Sequence, residues 1–361
     1  MKKINKVAIS SLAALMLTTS LANSQTTITG DMRIGIKATS SDNKGASDTR
    51  FAKETQINFA NAGNLNFGGG KYVAGFSLEY DGNDTTFSNA QHVENTYIDM
   101  LFGNTMVTFG SDHFKPANVL LSEIISGPHG VFNIVNEVGR VSSTASVRGE
   151  NSMIRSVYDG EKGDGVGFGI GLRQTMPNVG AFSINYIPNT GNDALLNDTA
   201  AVNATTSTDP NSSISGGFRG NFGVKNLDLH VGYNQRESET PGQSGSTAKV
   251  TNTTIGIGYK FGNLAVGLDA TDNQYDVTGN DRQIRSLGLA YSVDKDLTIQ
   301  YNHGRGDDSR ANTVKEKVHG VTIAQSLGPV GLTISAAKID NANGASGADG
   351  KTVFANLGVR F

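Results

Sequence analysis

The residues that could do covalent chemistry are few and scattered. The six histidines are His92, His113, His129, His230, His303 and His319, and no two stand in the HxxxH or HExxH spacing that sets a pair of imidazoles on one helix face. Cysteine is absent, which removes thiolate nucleophiles and thiolate metal sites together. No G-x-S-x-G elbow occurs. The glycines of GDGVGFGIG (163–171) fall on every second position, the period of a strand, and do not spell G-x-G-x-x-G. The acidic clusters GDD (306–308) and DGEKGD (159–164) lack a full calcium-loop pattern. They are expected to be solvated loops, with a loop-bound divalent cation as the one candidate ligand. No enzyme activity and no cofactor are therefore expected. What remains is charge, and its use depends on the elements that carry it.

Those elements are strands. Ile28, Met32, Ile34 and Ile36 alternate with Thr29, Asp31, Arg33 and Lys37. Tyr72, Ala74, Phe76, Leu78 and Tyr80 alternate with Val73, Gly75, Ser77 and Glu79, and Ile255, Ile257, Tyr259 and Phe261 with Thr254, Gly256, Gly258 and Lys260. Leu227, Leu229, Val231 and Tyr233 oppose Asp228, His230 and Asn234. Period two means one apolar and one polar face. The pattern recurs to the final TVFANLGVRF, where Val353, Ala355, Leu357, Val359 and Phe361 share a face and Phe354 breaks the polar one. No stretch carries helical spacing over a comparable length.

The solvent of each face follows from the start of the chain. Lys2, Lys3 and Lys6 precede the apolar run Val7 to Leu17, which is long enough for a signal peptide and too short to span a bilayer. The small residues Ala22 and Ser24 predict cleavage after Ser24, giving a signal peptide over 1–24 and a mature domain over 25–361. The 30 Lys and Arg less the leader's three lysines leave 27 against 33 Asp and Glu, which excludes a nucleic-acid-binding surface. An exported chain with no cysteine has no disulfide framework, and after residue 24 it has no apolar run of spanning length. In a membrane it must be a closed barrel, where every backbone group is paired within the wall.

Connections alternate in length. Short ones are Gly68 to Gly70, Gly103-Asn104, Pro177 to Gly180, Gly223 to Asn226, Gly262-Asn263, Asp294 to Asp296 and Gly328-Pro329. Long polar ones fall at 39–50, 82–90, 189–212, 236–250, 273–281, 304–316 and 340–351. Short turns on one side and long loops on the other mark an outer-membrane barrel. Segment 151–158 also reads as a strand and would make seventeen, which cannot close an antiparallel sheet. Placing it inside one exceptional loop, 113–164, restores the alternation and gives an all-β, 16-stranded antiparallel transmembrane barrel, with eighteen strands as the alternative. With 45 glycines among 361 residues, the polar face is rich in Gly, Ser, Thr and Asn, as a water-facing wall permits. Phe59, Tyr72, Tyr80, Tyr233, Tyr259, Phe261 and Phe361 lie near predicted strand ends, where interfacial girdles form in the absence of any Trp.

TTITGDMRIGIK (26–37), MPNVGAFSINYIP (176–188) and the terminal strand ending in Phe361 carry a resemblance to the Gram-negative general porins. The resemblance covers essentially the whole mature chain. It implies an outer-membrane location, a homotrimer, and passive diffusion of small hydrophilic solutes and ions through a water-filled channel. It also implies contact with outer-membrane lipid and lipopolysaccharide, passage by periplasmic chaperones, and the barrel-assembly machinery reading Phe361 as an assembly signal. A third loop folded into the pore as a constriction is implied too, and 113–164 is the third and longest. That loop is apolar for an exposed one, with Val119, Leu120, Leu121, Ile124, Ile125, Val131 and Phe132 among others. Its Glu123 and Glu137 become candidates for one side of the constriction. The lumen-phase cations Arg33, Lys37, Arg219 and Lys260 are candidates for the other. Opposed charges across a narrow pore set a transverse field that orients polar solutes. A substrate-selective porin and a non-conducting barrel, adhesin or enzyme, are the competing readings.

Two positions test the phasing. Arg285 shares the lipid phase with Leu287, so it must stand at the outer rim or its strand is mis-phased. Thr96 to Phe102 is apolar in both phases and leaves its facing open; burial at a subunit interface would account for it.

Overall fold

The computed structural model describes residues 25–41, 48–83, 91–110, 169–187, 212–239, 247–276, 281–309 and 313–361. Sixteen strands form the wall. They are β1 (Gln25–Ser41), β2 (Asp48–Asn64), β3 (Lys71–Asn83), β4 (Gln91–Phe102), β5 (Thr105–Gly110), β6 (Gly169–Met176), β7 (Gly180–Ile187) and β8 (Ser213–Gly220). The second half is β9 (Leu227–Glu239), β10 (Thr247–Phe261), β11 (Leu264–Tyr275), β12 (Arg282–Ser292), β13 (Leu297–Asp308), β14 (Glu316–Leu327), β15 (Val330–Asp340) and β16 (Gly350–Arg360). Every strand pairs antiparallel with its sequence neighbours, and β1 closes on β16 from Asp31↔Arg360 to Ser41↔Gly350. Closure leaves no edge, as lipid demands.

The faces are inverted relative to a water-soluble protein. Ile255 is 61% exposed and Val353 55%, whereas Thr254 and Thr352 are 3% exposed and Asn273 0%. Apolar side chains point outward to lipid and polar ones inward, as the period-two reading requires. Among the described residues no second layer covers this sheet, and outward apolar surface of this extent calls for a hydrocarbon surround. The tight turns gather at one end. Gly262 (φ 58) and Gly328 (φ 80) take the left-handed position that two-residue hairpins need.

Several boundaries differ from the sequence expectation. β1 continues to Ser41, β10 begins at Thr247 and β13 runs to Asp308, so stretches read as long loops at 39–50, 236–250 and 304–316 are partly sheet. The GDD cluster is therefore strand at the end of β13, not loop. Asp307 pairs with Lys315 at 3.0 Å, and Asp308 accepts a bond from Thr313 Oγ1 at 2.8 Å. The cause is physical. Where the wall rises above the bilayer both faces meet water, so the strand loses its apolar signature while keeping its ladder. β8 ends at Gly220, so the short connection expected at Gly223 to Asn226 begins earlier and takes in Phe222, with φ 49. β5 pairs directly with β6 and the wall closes at sixteen strands. The loop 113–164, with segment 151–158 inside it, and the proposed signal peptide 1–24 lie outside the described residues.

The two phasing tests resolve. Arg285, opposite Ala270 on β11, is among the first four residues of β12 and bonds Asp272 at 2.8 Å on the outer rim. On β4, Ile98 is outward and 49% exposed, while Tyr97 and Leu101 turn inward onto a small cluster of Ala60, Ala62 and Val73. A register shift against Gly75 and Ser77 of β3 interrupts the simple alternation there.

Candidate functional site

The inner wall is the site. Its side chains are short and polar because inward positions alternate with the lipid-facing ones, and neighbouring strands bring hydroxyls and amides into register. Ser77 Oγ donates to Asn58 at 2.7 Å, Thr108 Oγ1 to Asp99 at 2.6 Å, and Ser213 Oγ to Asn234 at 3.1 Å. Thr254 and Thr271 share a bond of 2.8 Å, and Thr322 and Ser335 one of 3.1 Å. Each cross-strand pair ties adjacent strands and satisfies polar groups without filling the bore.

The charged candidates fall on two sectors of this wall. Arg33 and Lys37 project from β1. Arg33 sits between Asp31 (3.4 Å) and Glu54 of β2 (3.4 Å), and Lys37 stands opposite Phe354 of β16. Arg219 and Lys260 belong to β8 and β10, about half the ring away from β1. Arg219 holds Asp228 of β9 in a fork, Nε at 2.9 Å and Nη2 at 2.7 Å, with its side chain 14% exposed. This bidentate contact fixes the guanidinium plane against the wall. Lys260 is exposed beside the Gly262-Asn263 turn, so it stands at the short-turn mouth and not at mid-depth. The structure thus does not gather the four cations into one wall. Glu123 and Glu137 lie outside the described residues.

One inward pair was not legible in the sequence. His230 of β9 and Asp269 of β11 meet across β10, Nε2 to Oδ1 at 3.3 Å, with side chains 1% and 5% exposed. The residue between them is Gly256, in register with both. A Cβ there would fall 2.6 Å from His230 Nε2 and closer still to Asp269 Oδ1. The missing side chain is what lets the pair close. Alternation marks all three residues as inward, but only the register of three strands shows that they share a row.

The barrel seam uses a similar device. Gly30 and Phe361 exchange backbone bonds, Gly30 N–H to Phe361 O at 2.8 Å and Phe361 N–H to Gly30 O at 3.0 Å. The outward ring of Phe361, 66% exposed, lies over Gly30, where a Cβ would come within 2.7 Å of Cζ. The ring is thus placed at the short-turn rim, beside the start of β1. Elsewhere in the outer girdle Phe59 stacks on Phe76 at 4.9 Å and Tyr259 meets Phe261 at 4.6 Å. The described residues hold no group of three or more His, Cys, Asp or Glu able to bind a metal ion.

Comparison with solved structures gives the same wall. The chain superposes on the anion-selective porin of Comamonas acidovorans with a TM-score of 0.68 at 14% identity, covering 94% of this chain and 100% of that one. Salmonella typhi OmpF, solved with daunomycin, gives 0.63 at 11% identity, covering 93% and 97%. A loop-deleted OmpT of Vibrio cholerae gives 0.62 at 13% identity, covering 94% and 99%. At such identities the likeness establishes the fold. No curated protein sequence matches the chain significantly. The sequence itself matches the Gram-negative porin family over residues 11–343. Inverted wall, sixteen-strand closure and family match agree: the chain belongs to the Gram-negative porins, outer-membrane channels for the passive diffusion of small hydrophilic solutes.

Proposed function

We propose that the pore acts as a general diffusion channel in a homotrimer, with a constriction whose field is set between Glu123 and Glu137 on one side and Arg33 and Lys37 of β1 on the other. The observation that carries this reading is the inner wall. It interleaves cations with anions, Arg33 with Asp31 and Glu54 and Arg219 with Asp228, so these fixed charges are partly compensated where they stand. A wall balanced in this way has little ion preference of its own. Selectivity then falls to the residues that narrow the bore. On this reading Arg219 holds Asp228, Lys260 marks the short-turn mouth, and the two glutamates tip the balance toward cations.

The Comamonas acidovorans porin is anion-selective. The present chain is proposed to differ, because its loop 113–164 contributes Glu123 and Glu137 and because Arg33 and Arg219 of its wall face carboxylates. The experiment is single-channel recording in a planar bilayer with a salt gradient across it. Linear conductance steps, with a reversal potential of cation-preferring sign, are expected. Steps that one solute saturates at low concentration would replace the general channel with a substrate-selective one. Absence of any step from a folded, trimeric barrel would overturn the reading and favour a non-conducting barrel. Crosslinking of the purified protein reads the trimer separately.

A further inference from the structure

Diffusion through the bore gives no role to the imidazole of His230. On β9 this residue alternates with the outward Val231, so it lies on the bore side of the wall. It meets Asp269 of β11 at 3.3 Å, through the gap that Gly256 leaves in β10. Elsewhere the inner wall ties its strands with hydroxyls and amides, as Thr254 does with Thr271, and these carry no charge at any working pH. Imidazole is the side chain whose ordinary titration falls between pH 5 and 8. His230 therefore brings to the wall a charge that the medium can set.

The groups around it are specific. Directly opposite His230 on β8 is Arg219, which holds Asp228, two residues before His230 on β9. β10 places Gly256 and then Gly258 beside the pair, and its Lys260 stands further along at the short-turn mouth. β11 supplies Asp269, and opposite that residue on β12 is Ser286. Among the described residues, the charged groups facing His230 are thus Arg219, Asp228 and Asp269. Arg219 is matched by Asp228, so the state of His230 and Asp269 tips the sector. With a neutral imidazole the pair carries the charge of one carboxylate. With an imidazolium it is a balanced ion pair. The side chains are 1% and 5% exposed, and buried charges are screened by salt much less than exposed ones.

We propose that His230 sets a proton-dependent part of the channel's ion preference. While the imidazole is neutral, the pair adds a negative charge to the wall and favours cations past it. Protonation cancels that charge and the added preference goes with it. The change needs no large motion, because the two groups already stand in contact across Gly256. His303 and His319 cannot take this part: they alternate with the inward Asn302 and Gly320 and so face away from the bore. This inference rests on the reading of the barrel as a conducting channel, and adds to its fixed charges one that protons control.

The test is the cation-to-anion permeability ratio of the full-length channel in a planar bilayer, taken from reversal potentials in a potassium chloride gradient at pH 8 and at pH 5. In wild type the ratio should fall by about twofold from pH 8 to pH 5. His230→Gln keeps an uncharged amide at both values and should hold the ratio near that of wild type at pH 8. Asp269→Asn removes the carboxylate and should give, already at pH 8, a ratio near that of wild type at pH 5. A wild-type ratio that is the same at both pH values would overturn the proposal, and that comparison decides alone if the variants fail to fold. A fall of full size in His230→Gln would also overturn it, by assigning the response to other groups in the bore. Absence of conductance steps at both pH values would overturn the channel reading and this inference with it. Steady steps with a pH-independent ratio would overturn this inference alone.

Discussion

Gly256→Ala is the most demanding perturbation the inner wall offers. The added Cβ would lie 2.6 Å from His230 Nε2 and nearer still to Asp269 Oδ1, where ordinary contacts begin near 3.4 Å. Both side chains are almost wholly buried, and either one moving aside opens the 3.3 Å contact between them. Overpacking of this kind costs about 1–3 kcal/mol. Taking about 2 kcal/mol, the folded-to-unfolded ratio should fall roughly thirtyfold. The assay is urea-titrated folding into lipid vesicles, read by the electrophoretic shift of unheated samples, since the chain has no Trp to follow by fluorescence. The second half of the test is a cycle with His230→Ala. Once the imidazole is gone, the alanine at 256 meets only the Asp269 carboxylate, and its cost should drop by about 1 kcal/mol or more. An equal cost for Gly256→Ala in both backgrounds would refute the claim that this glycine exists to let the pair meet.

Glu123→Gln with Glu137→Gln should move the reversal potential toward anions; an unchanged potential would remove both residues from the constriction. Arg219→Gln releases Asp228 from its fork and should shift selectivity toward cations at a stability cost of about 1 kcal/mol or less, checked by the same recordings and urea titration. Phe361→Ala should leave the backbone bonds to Gly30 in place but lower the yield of assembled barrel, measured as heat-modifiable protein in outer-membrane fractions. Gly30→Leu should lower that yield as well, because the ring and the Gln56 carbonyl already occupy the space a side chain needs.

The sequence was most legible where the two solvents differ most. Along Ile255 to Phe261 hydrocarbon and water select opposite residues, so alternation alone reads the facing correctly. It fails above the bilayer, where Ser40, Ser41 and Asp308 are polar in both phases and yet belong to strands. It fails on β4, where an irregular register and an inward cluster with Ala60 and Val73 place apolar residues on both faces. Of the candidate cations, parity identified the inward facing of Arg33, Lys37, Arg219 and Lys260 but not their partners. The Glu54 beside Arg33 and the Asp228 beside Arg219 depend on register, which period two does not encode. For the same reason His230 and Asp269, far apart in the chain and separated by a glycine on a third strand, left no sequence signal as a pair.

The β1–β16 seam differs in kind from the other fifteen junctions. Each of those joins strands that follow one another, so the sheet can grow one hairpin at a time at low entropic cost. The seam instead brings Gly30 and Asp31 against Phe361 and Arg360, from opposite ends of the sequence, with eleven ladder pairs to register at once. Until it zips, β1 and β16 each present an open row of amides and carbonyls that another chain could extend. Kinetic control over this protein's biogenesis is thus concentrated at a single junction, and conditions that delay it should produce intermolecular sheet stacking before they produce loss of strand content.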